Sequence, residues 1–459
     1  MFDFMSRRSL LAAIAPVAFA TSVNAAPRGQ VAKRSPGSSG TVAGYELGLI
    51  ADSMADQSSV LQAAIDQSAL KGVMLQLPPG RIRVARIALR EGSRVVGSPR
   101  TVLQGAEDGP LLIGEYAHGV RLERLRIEGT GAEQQGASRA LIEIRASMDI
   151  ALDDLTINRA GRNGLYLEGC SGRVRACRIA KIGAAALWAV DSLGLEIVDN
   201  VIEDCADNGI LVWRSAAGDD GALVAQNRIA RIGAASGGSG QNGNGVNVFR
   251  AGRVRVSGNH ISDCAYSAVR GNAASDIQIL GNNVARIGEV ALYAEFGFEG
   301  ALIAQNVVDD AAAGISVTNF NEGGRLAVIH GNLVRNLRRR EAEPVDKRGE
   351  GISVEADAAV TGNTIEGAPA AGIMIGWGRH MRNVNATGNV IRKARVGVMI
   401  TNDVDAGNCL VAQNLISDAS DGAIRLMDHG RPMGDDLVVT PPRSSRIIIS
   451  GNMITGSGA

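Results

Sequence analysis

The chain has 459 residues, 45% of them hydrophobic and 20% charged, with 47 Lys and Arg against 47 Asp and Glu. That apolar fraction excludes a disordered chain, and the charge balance removes the electrostatic basis for a nucleic-acid or anionic-membrane partner. Gly is abundant at 58 residues and aromatics make up 3%, while 12 prolines are too few for collagen, so frequent turns between short strands are expected.

The first segment reads as an address. Ser6-Arg7-Arg8-Ser9-Leu10-Leu11 places two arginines before an apolar stretch from Leu10 to Ala20, and Val23-Asn24-Ala25 fits a signal-peptidase site. This pattern predicts a twin-arginine signal over residues 1–25 and a mature protein, periplasmic or secreted, starting near Ala26. The apolar stretch is short for a bilayer anchor and no later stretch approaches spanning length, so no integral membrane segment is expected in the mature chain. Residues 26–50, rich in Gly, Ser, Pro and Lys/Arg, are expected to form a flexible leader. Residues 51–459 form one domain, opening with a cap over 51–80. There Val60, Leu61, Ala64, Ile65 and Ala69 recur at helical spacing behind the candidate caps Asp56 and Ser58. Val73 to Leu77 then read as a strand that ends on Pro78-Pro79-Gly80.

From about residue 120 the chain repeats. An Asn preceded by Gly, Gln or Asp and followed by an apolar strand occurs at Asn200, Asn227, Asn259, Asn282, Asn306, Asn332, Asn363, Asn389, Asn414 and Asn452. A small residue opens a second alternating strand, at Gly164, Ala186, Gly209, Gly245, Ala268, Ala291, Gly314, Gly351, Gly372, Gly397 and Ala423. Most gaps between these small residues span 21 to 26 residues, and the two long ones hold insertions at Ala234–Asn244 and Arg338–Glu350. A coil of roughly 23 residues with short strands and tight turns predicts an all-β, right-handed parallel β-helix. Leucine-rich repeats need a Leu-x-x-Leu-x-Leu frame and propeller blades are nearly twice as long, so neither fits.

The segment from Asp56 to Asp66, followed by Leu77-Pro78-Pro79-Gly80, resembles the N-terminal cap of pectate-lyase-superfamily right-handed β-helices. That resemblance implies a helix plugging the first coil, and a fold whose members often cut or bind acidic polysaccharides. The twin-arginine signal with Asn/Gly-Ile repeats also resembles an uncharacterised family of exported bacterial repeat proteins.

Counting from the small residue of each coil, the first and third positions after it are almost all apolar and face inward, so the second faces outward. That outward column reads Tyr166, Trp188, Leu211, Asn247, Arg270, Tyr293, Ser316, Ser353, Met374, Met399 and Arg425, with Trp213, Phe249, Asn272, Glu295 and Glu355 in the column two residues further on. Tyr166, Trp188, Trp213, Asn247 and Asn272 are the candidate substrate-binding residues of an exposed strip. Aromatic faces stack on sugar C–H surfaces, and Asn and Arg bind hydroxyls or carboxylates. Glu295 and Glu355 stand two coils apart, roughly 9–10 Å by backbone spacing. That is close to the ~6.5–9.5 Å between the carboxyls of inverting glycosidases. They are the candidate acid/base pair, with Arg270 and Tyr293 assisting by stabilising negative charge. The expected function is recognition of an extracellular or periplasmic polysaccharide, with cleavage by a lyase or hydrolase mechanism as one reading and a non-catalytic cell-envelope binding or structural role as the other. Neither the Asn-Thr-Asp and Gly-His-Gly set of polygalacturonases nor the Asp-Pro-His-Glu of mannuronan epimerases occurs.

The remaining notable residues have structural readings. The Asn column satisfies backbone at the coil corners, since Asn tolerates left-handed turns and stacks well. Cys205 and Cys264 share a repeat position with Ile232 between them, so they belong to a core stack and not to a disulfide. His380 and His429 are loop residues. The charge-mixed run Arg338-Arg339-Arg340 with Glu341 and Glu343 reads as a solvated loop tip. No zinc spacing and no phosphate loop is present, so no metal and no cofactor is called for.

Overall fold

The computed structural model describes residues 40–132, 138–238, 240–340, 349–442 and 444–456. The expected export signal at 1–25, most of the expected leader, and Glu341 and Glu343 lie outside the described residues. The architecture is a right-handed parallel β-solenoid of about 13 turns, with one α-helix among the described residues. Each full coil carries three strands, as in Glu196–Val198, Val201–Cys205 and Asn208–Asp219. First strands stack into a 16-stranded sheet, and second and third strands together form a 28-stranded sheet. The body strands pair in parallel, and the exception is the hairpin in which Arg431–Met433 turns back on Ile424–Asp428.

The inward positions behave as the alternation predicts. Ile210 and Val212 flank outward Leu211 and are fully enclosed, as are Ile315 and Val317 around Ser316. The small residue opens the third strand because the next coil's backbone passes close by. A Cβ on Gly209 would stand 2.3 Å from the Gly245 carbonyl oxygen, and one on Gly314 would stand 2.3 Å from that of Gly351.

The Asn column is a continuous hydrogen-bonded ladder. From Asn200 to Asn414, each Asn backbone N–H and Nδ2 donate to the Oδ1 of the next Asn, at 2.9–3.0 Å. Each Nδ2 also donates to a first-strand carbonyl of the preceding coil, such as Asn306 to Ile279. The left-handed turn falls one residue earlier than expected. Asp199, Gln226, Gly258, Gly281, Gln305 and Gly331 all have φ between 57° and 65°, which leaves the Asn free to bond along the axis. The choice of Gly, Gln or Asp before the Asn reflects that turn.

The cap helix spans Ser58–Lys71 and buries Leu61, Ala64, Ile65 and Ser68 against the first coils. Asp56 Oδ1 accepts from the Ser58 backbone N–H and hydroxyl, tying down its first turn. The expected leader ends earlier than residue 50. Thr41–Ala43 pairs in parallel with Met74–Gln76, and Gly44–Leu47 forms a 3₁₀ turn over the end of the solenoid. The apolar residues Val42, Leu47 and Leu49 pack on the core, which is why polar composition alone misplaced the boundary. All five cysteines are free and buried, with Cys205 and Cys264 on either side of Ile232 in register. No helix among the described residues is long and apolar enough to cross a membrane.

Candidate functional site

Register places the outward column of the third strands as counted: Tyr166, Trp188, Leu211, Asn247, Arg270, Tyr293, Ser316, Ser353, Met374, Met399 and Arg425 stand on successive coils, and Glu143 extends the column one coil earlier. The expectation of an exposed strip is corrected. Tyr166, Asn247, Arg270, Glu295 and Glu355 are buried, and Trp188, Trp213, Tyr293 and Asn272 are only partly accessible. These side chains point out of the solenoid, but neighbouring side chains and the insertion at 234–244 cover them. Gly240 O of that insertion accepts from Asn247 Nδ2 at 2.9 Å, and a Cβ on Gly240 would stand 3.4 Å from Arg270 Nη2. Asn208 Nδ2 and the Asp207 carboxylate hold the same insertion down, through Gln241 O and Ser236.

Two groups of functional chemistry lie on this face. The first is an aromatic run. Tyr166, Trp188, Trp213 and Phe249 sit with successive ring centroids 5.2, 5.4 and 5.6 Å apart in edge-on or tilted contacts. Arginines border it: the Arg139 guanidinium lies over Tyr166 and Trp188, Arg145 over Tyr166, and Arg250 over Phe249. Trp213 Nε1 donates to Asn247 Oδ1 at 3.2 Å. Tyr166 donates to Glu168 at 3.0 Å, and burial followed by that bond to the carboxylate pushes its pKa up to about 12, so it stays a phenol. Two buried donors here make no hydrogen bond: Trp188 Nε1, and Arg145 Nε, which stands 3.5 Å from Glu168 Oε2. Buried donors are rarely left unbonded, and this concentration favours a ligand rich in acceptors.

The second group is a buried charge cluster. Arg270 Nε donates to Glu295 Oε1 at 2.6 Å, and Arg270 Nη1 stands 3.6 Å from Glu289 Oε2. The three residues are 6%, 2% and 4% exposed, so Arg270 stands beside two carboxyls with little solvent. Asn272 Nδ2 also donates to Glu295, and the Arg270 guanidinium lies 4.9 Å from the Tyr293 ring centre. Burial raises the Glu295 pKa, and Arg270 opposes the shift. A carboxyl held above its usual range is suited to general-acid work, and a guanidinium beside it to stabilising an anion. Glu289 escaped the sequence reading. It stands two residues before the small Ala291, a corner position where other coils carry Gly243 and Tyr266, and a charge there was the only available signal.

The expected pair Glu295 and Glu355 is not brought together on a shared open surface. Glu295 turns toward Arg270 and Asn272, whereas Glu355 accepts from the Phe320 backbone N–H at 2.7 Å and so caps the 3₁₀ turn Phe320–Glu322. Further along the face, Met374, Met399 and Met427 form an apolar cluster with Ala371, Val396 and Trp377. The loop histidines lie over this end: His429 meets Trp377 edge-on at 5.3 Å, and His380 meets Phe320 at 6.4 Å.

Comparison with known proteins agrees with the architecture. The sequence profile described as the right handed beta helix region matches residues 140–334 and 227–391, together more than half of the chain. No curated protein matches the chain. Among solved structures, the pre-mature bacteriophage phi29 gene product 12 is similar at 15% identity and a TM-score of 0.55, covering 91% of this chain and 56% of its own. Bacteriophage CBA120 tailspike protein 3 is similar at 12% identity and a TM-score of 0.53, covering 90% and 61%. The catalytic unit of a GH87 α-1,3-glucanase from Streptomyces thermodiastaticus aligns at 14% identity and a TM-score of 0.46, over 94% and 71%. The chain thus spans a little over half the length of the two phage proteins, and at these identities the likeness is one of fold. With the profile match over most of the solenoid, this chain belongs to the right-handed β-helix region family.

Proposed function

We propose that the chain is exported by the twin-arginine route and recognises a periplasmic or extracellular polysaccharide along its third-strand face. The observation that carries this reading is the aromatic run Tyr166–Trp188–Trp213–Phe249 with Arg139, Arg145 and Arg250 against its rings. Rings offer apolar area to sugar C–H faces, and guanidinium groups bind carboxylates or sulfates bidentately. The guanidinium groups of Arg139, Arg145 and Arg250 favour an anionic polymer over a neutral one on this face, and the unbonded Trp188 Nε1 offers it a further donor.

Cleavage is the second reading, and the buried cluster favours it. Glu295, with its raised pKa, would give a proton to a leaving oxygen, while Arg270, with Tyr293 beside it, would stabilise developing negative charge. Glu355 enters this reading only through movement of the 3₁₀ turn it caps. The test is to incubate the purified protein with oligogalacturonate, alginate and neutral glucans, reading reducing ends and unsaturated uronide absorbance together. Binding of an acidic polymer without product, weakened at least tenfold by Trp213→Ala, supports recognition alone. Product formation lost in Glu295→Gln supports the cleaving reading. Absence of binding to every acidic polymer overturns both.

A further inference from the structure

The segment Gly240-Gln241-Asn242 closes the charge cluster from above. Its first residue lies on the Arg270 guanidinium: a Cβ on Gly240 would stand 3.4 Å from Nη2, 3.6 Å from Cζ and 3.9 Å from Nη1. The two residues that follow are anchored through the backbone. Gly243 N–H donates to Asp207 O at 2.6 Å, Tyr266 N–H donates to Gly243 O at 2.8 Å, and Asn244 N–H donates to Asn208 Oδ1 at 3.1 Å. Gly243 also has φ of 82°, a conformation that lets the chain turn back over the strand.

The covering segment itself is held differently. Among the described residues, Gly240, Gln241 and Asn242 make no backbone–backbone hydrogen bond. Side-chain amides hold them instead. Asn208 Nδ2 donates to Gln241 O at 2.9 Å, and Gly240 O accepts from Asn244 Nδ2 and Asn247 Nδ2, each at 2.9 Å. None of the three residues has an apolar side chain, so lifting them exposes little apolar surface and exchanges amide bonds for water. The covered state has a cost of its own, because Arg270 Nη1 is buried beneath Gly240 without a hydrogen bond. Covered and lifted states are therefore close in free energy, and a ligand that favours one of them can shift the balance.

Asn247 ties this cover to the aromatic run. Its Oδ1 accepts from Trp213 Nε1 at 3.2 Å while its Nδ2 donates to Gly240 O, and the residue is 3% exposed. A ligand acceptor that takes the Trp213 N–H leaves Asn247 Oδ1 buried and unmet, and turning the amide to recover a donor breaks its bond to Gly240. We propose that Gly240–Asn242 is a movable cover over Arg270, latched by Asn247, and that an acceptor-bearing ligand on the aromatic run releases it through Trp213. The release step rests on the reading of the third-strand face as the ligand site, whereas the latch does not.

A nitroxide on Gln241→Cys reports the cover directly, since Gln241 is exposed and all five native cysteines are buried. Spin-label mobility is read in this background, in Asn247→Ala and in Trp213→Phe, which keeps a ring and removes only the N–H donor. Modification of Arg270 by an arginine-selective dicarbonyl, followed by peptide mass spectrometry, reads access, with Arg425 at the far end of the same column as the internal reference. Without ligand, Asn247→Ala is expected to raise the mobile fraction about fivefold, the factor that one lost hydrogen bond gives. Trp213→Phe should raise it in the same direction, with Arg270 modification rising in parallel and Arg425 unchanged. Hexagalacturonate should mobilise the label in the otherwise native protein and add nothing in Asn247→Ala. Wild-type mobility in both variants, or mobility gained without access to Arg270, would overturn the latch, as would a parallel rise at Arg425. Binding of hexagalacturonate with no gain in mobility would overturn the release step. Absence of binding would instead contradict the third-strand reading, and the two unliganded variants would still decide the latch.

Discussion

The two halves of the third-strand face use one backbone register for opposite ends. At Tyr166, Trp188 and Asn247 the outward column meets arginines, and donors are left without hydrogen bonds. At Met374, Met399 and the neighbouring Met427 it is apolar and closed by Trp377, before the column ends on Arg425. Strand geometry and spacing are the same in both, so the difference lies in side-chain chemistry and in what the connecting loops cover. The first half gathers unmet donors beside its rings that a ligand can satisfy, whereas the second, apart from Arg425 Nε, is dominated by apolar packing within the chain.

The largest expected effect comes from giving the first half the chemistry of the second. Arg270→Met removes the cation bonded to the buried Glu295 and is expected to cost about 3–5 kcal/mol at pH 7. The Glu295 pKa is already raised in the fold, so its ionised form opposes folding. This cost is absent below the unfolded carboxyl pKa and complete above the folded one. Urea denaturation should therefore show the variant's deficit shrinking as the pH falls toward 4, and a deficit independent of pH would mean the glutamates are not its source. In the second half, Met399→Ala opens a cavity in a packed apolar cluster and is expected to cost about 2–4 kcal/mol. Its stability should fall with no change in polysaccharide affinity. Loss of affinity in that variant would place ligand chemistry on the wrong half.

A smaller effect concerns Asp220, which follows the strand carrying Trp213. Burial pushes its pKa up to about 6, and its bond from the Ala222 backbone N–H only partly opposes this. Between the unfolded carboxyl value and about 6, the native state holds the extra proton, so stability falls as pH rises through that window, by about 3 kcal/mol. Asp220→Asn should flatten this part of the curve between pH 4 and 7. An unchanged slope would show that the carboxyl is hydrated.

The solenoid was legible because its signals repeat. Coil length, the Asn ladder, the small residue opening each third strand and the core stack of Cys205, Ile232 and Cys264 all follow from period and alternation. Exposure was not legible. Alternation says that Arg270 and Glu295 point out of the barrel, but whether a side chain pointing out meets water depends on where the 234–244 insertion lies, and a Gly/Ser/Asn loop carries no periodic signal of its course. Glu289 was missed for a related reason, since the strand Asn283–Glu295 runs through the expected corner and shifts register between Ile287 and Val290, where alternation gives no guide. The leader boundary was misplaced because Thr41–Ala43 is too short to show alternation, and its pairing partner lies beyond the cap helix.

The chain has three tryptophans, and they divide between the two halves: Trp188 and Trp213 in the first, Trp377 in the second. Their indole N–H signals in a ¹H–¹⁵N spectrum, each assigned by a Trp→Phe variant, report on the two halves at once during titration with hexagalacturonate. The Trp188 and Trp213 signals are expected to move saturably and together while the Trp377 signal stays in place. Movement of Trp377 alone, or of none of the three at saturating ligand, would contradict it.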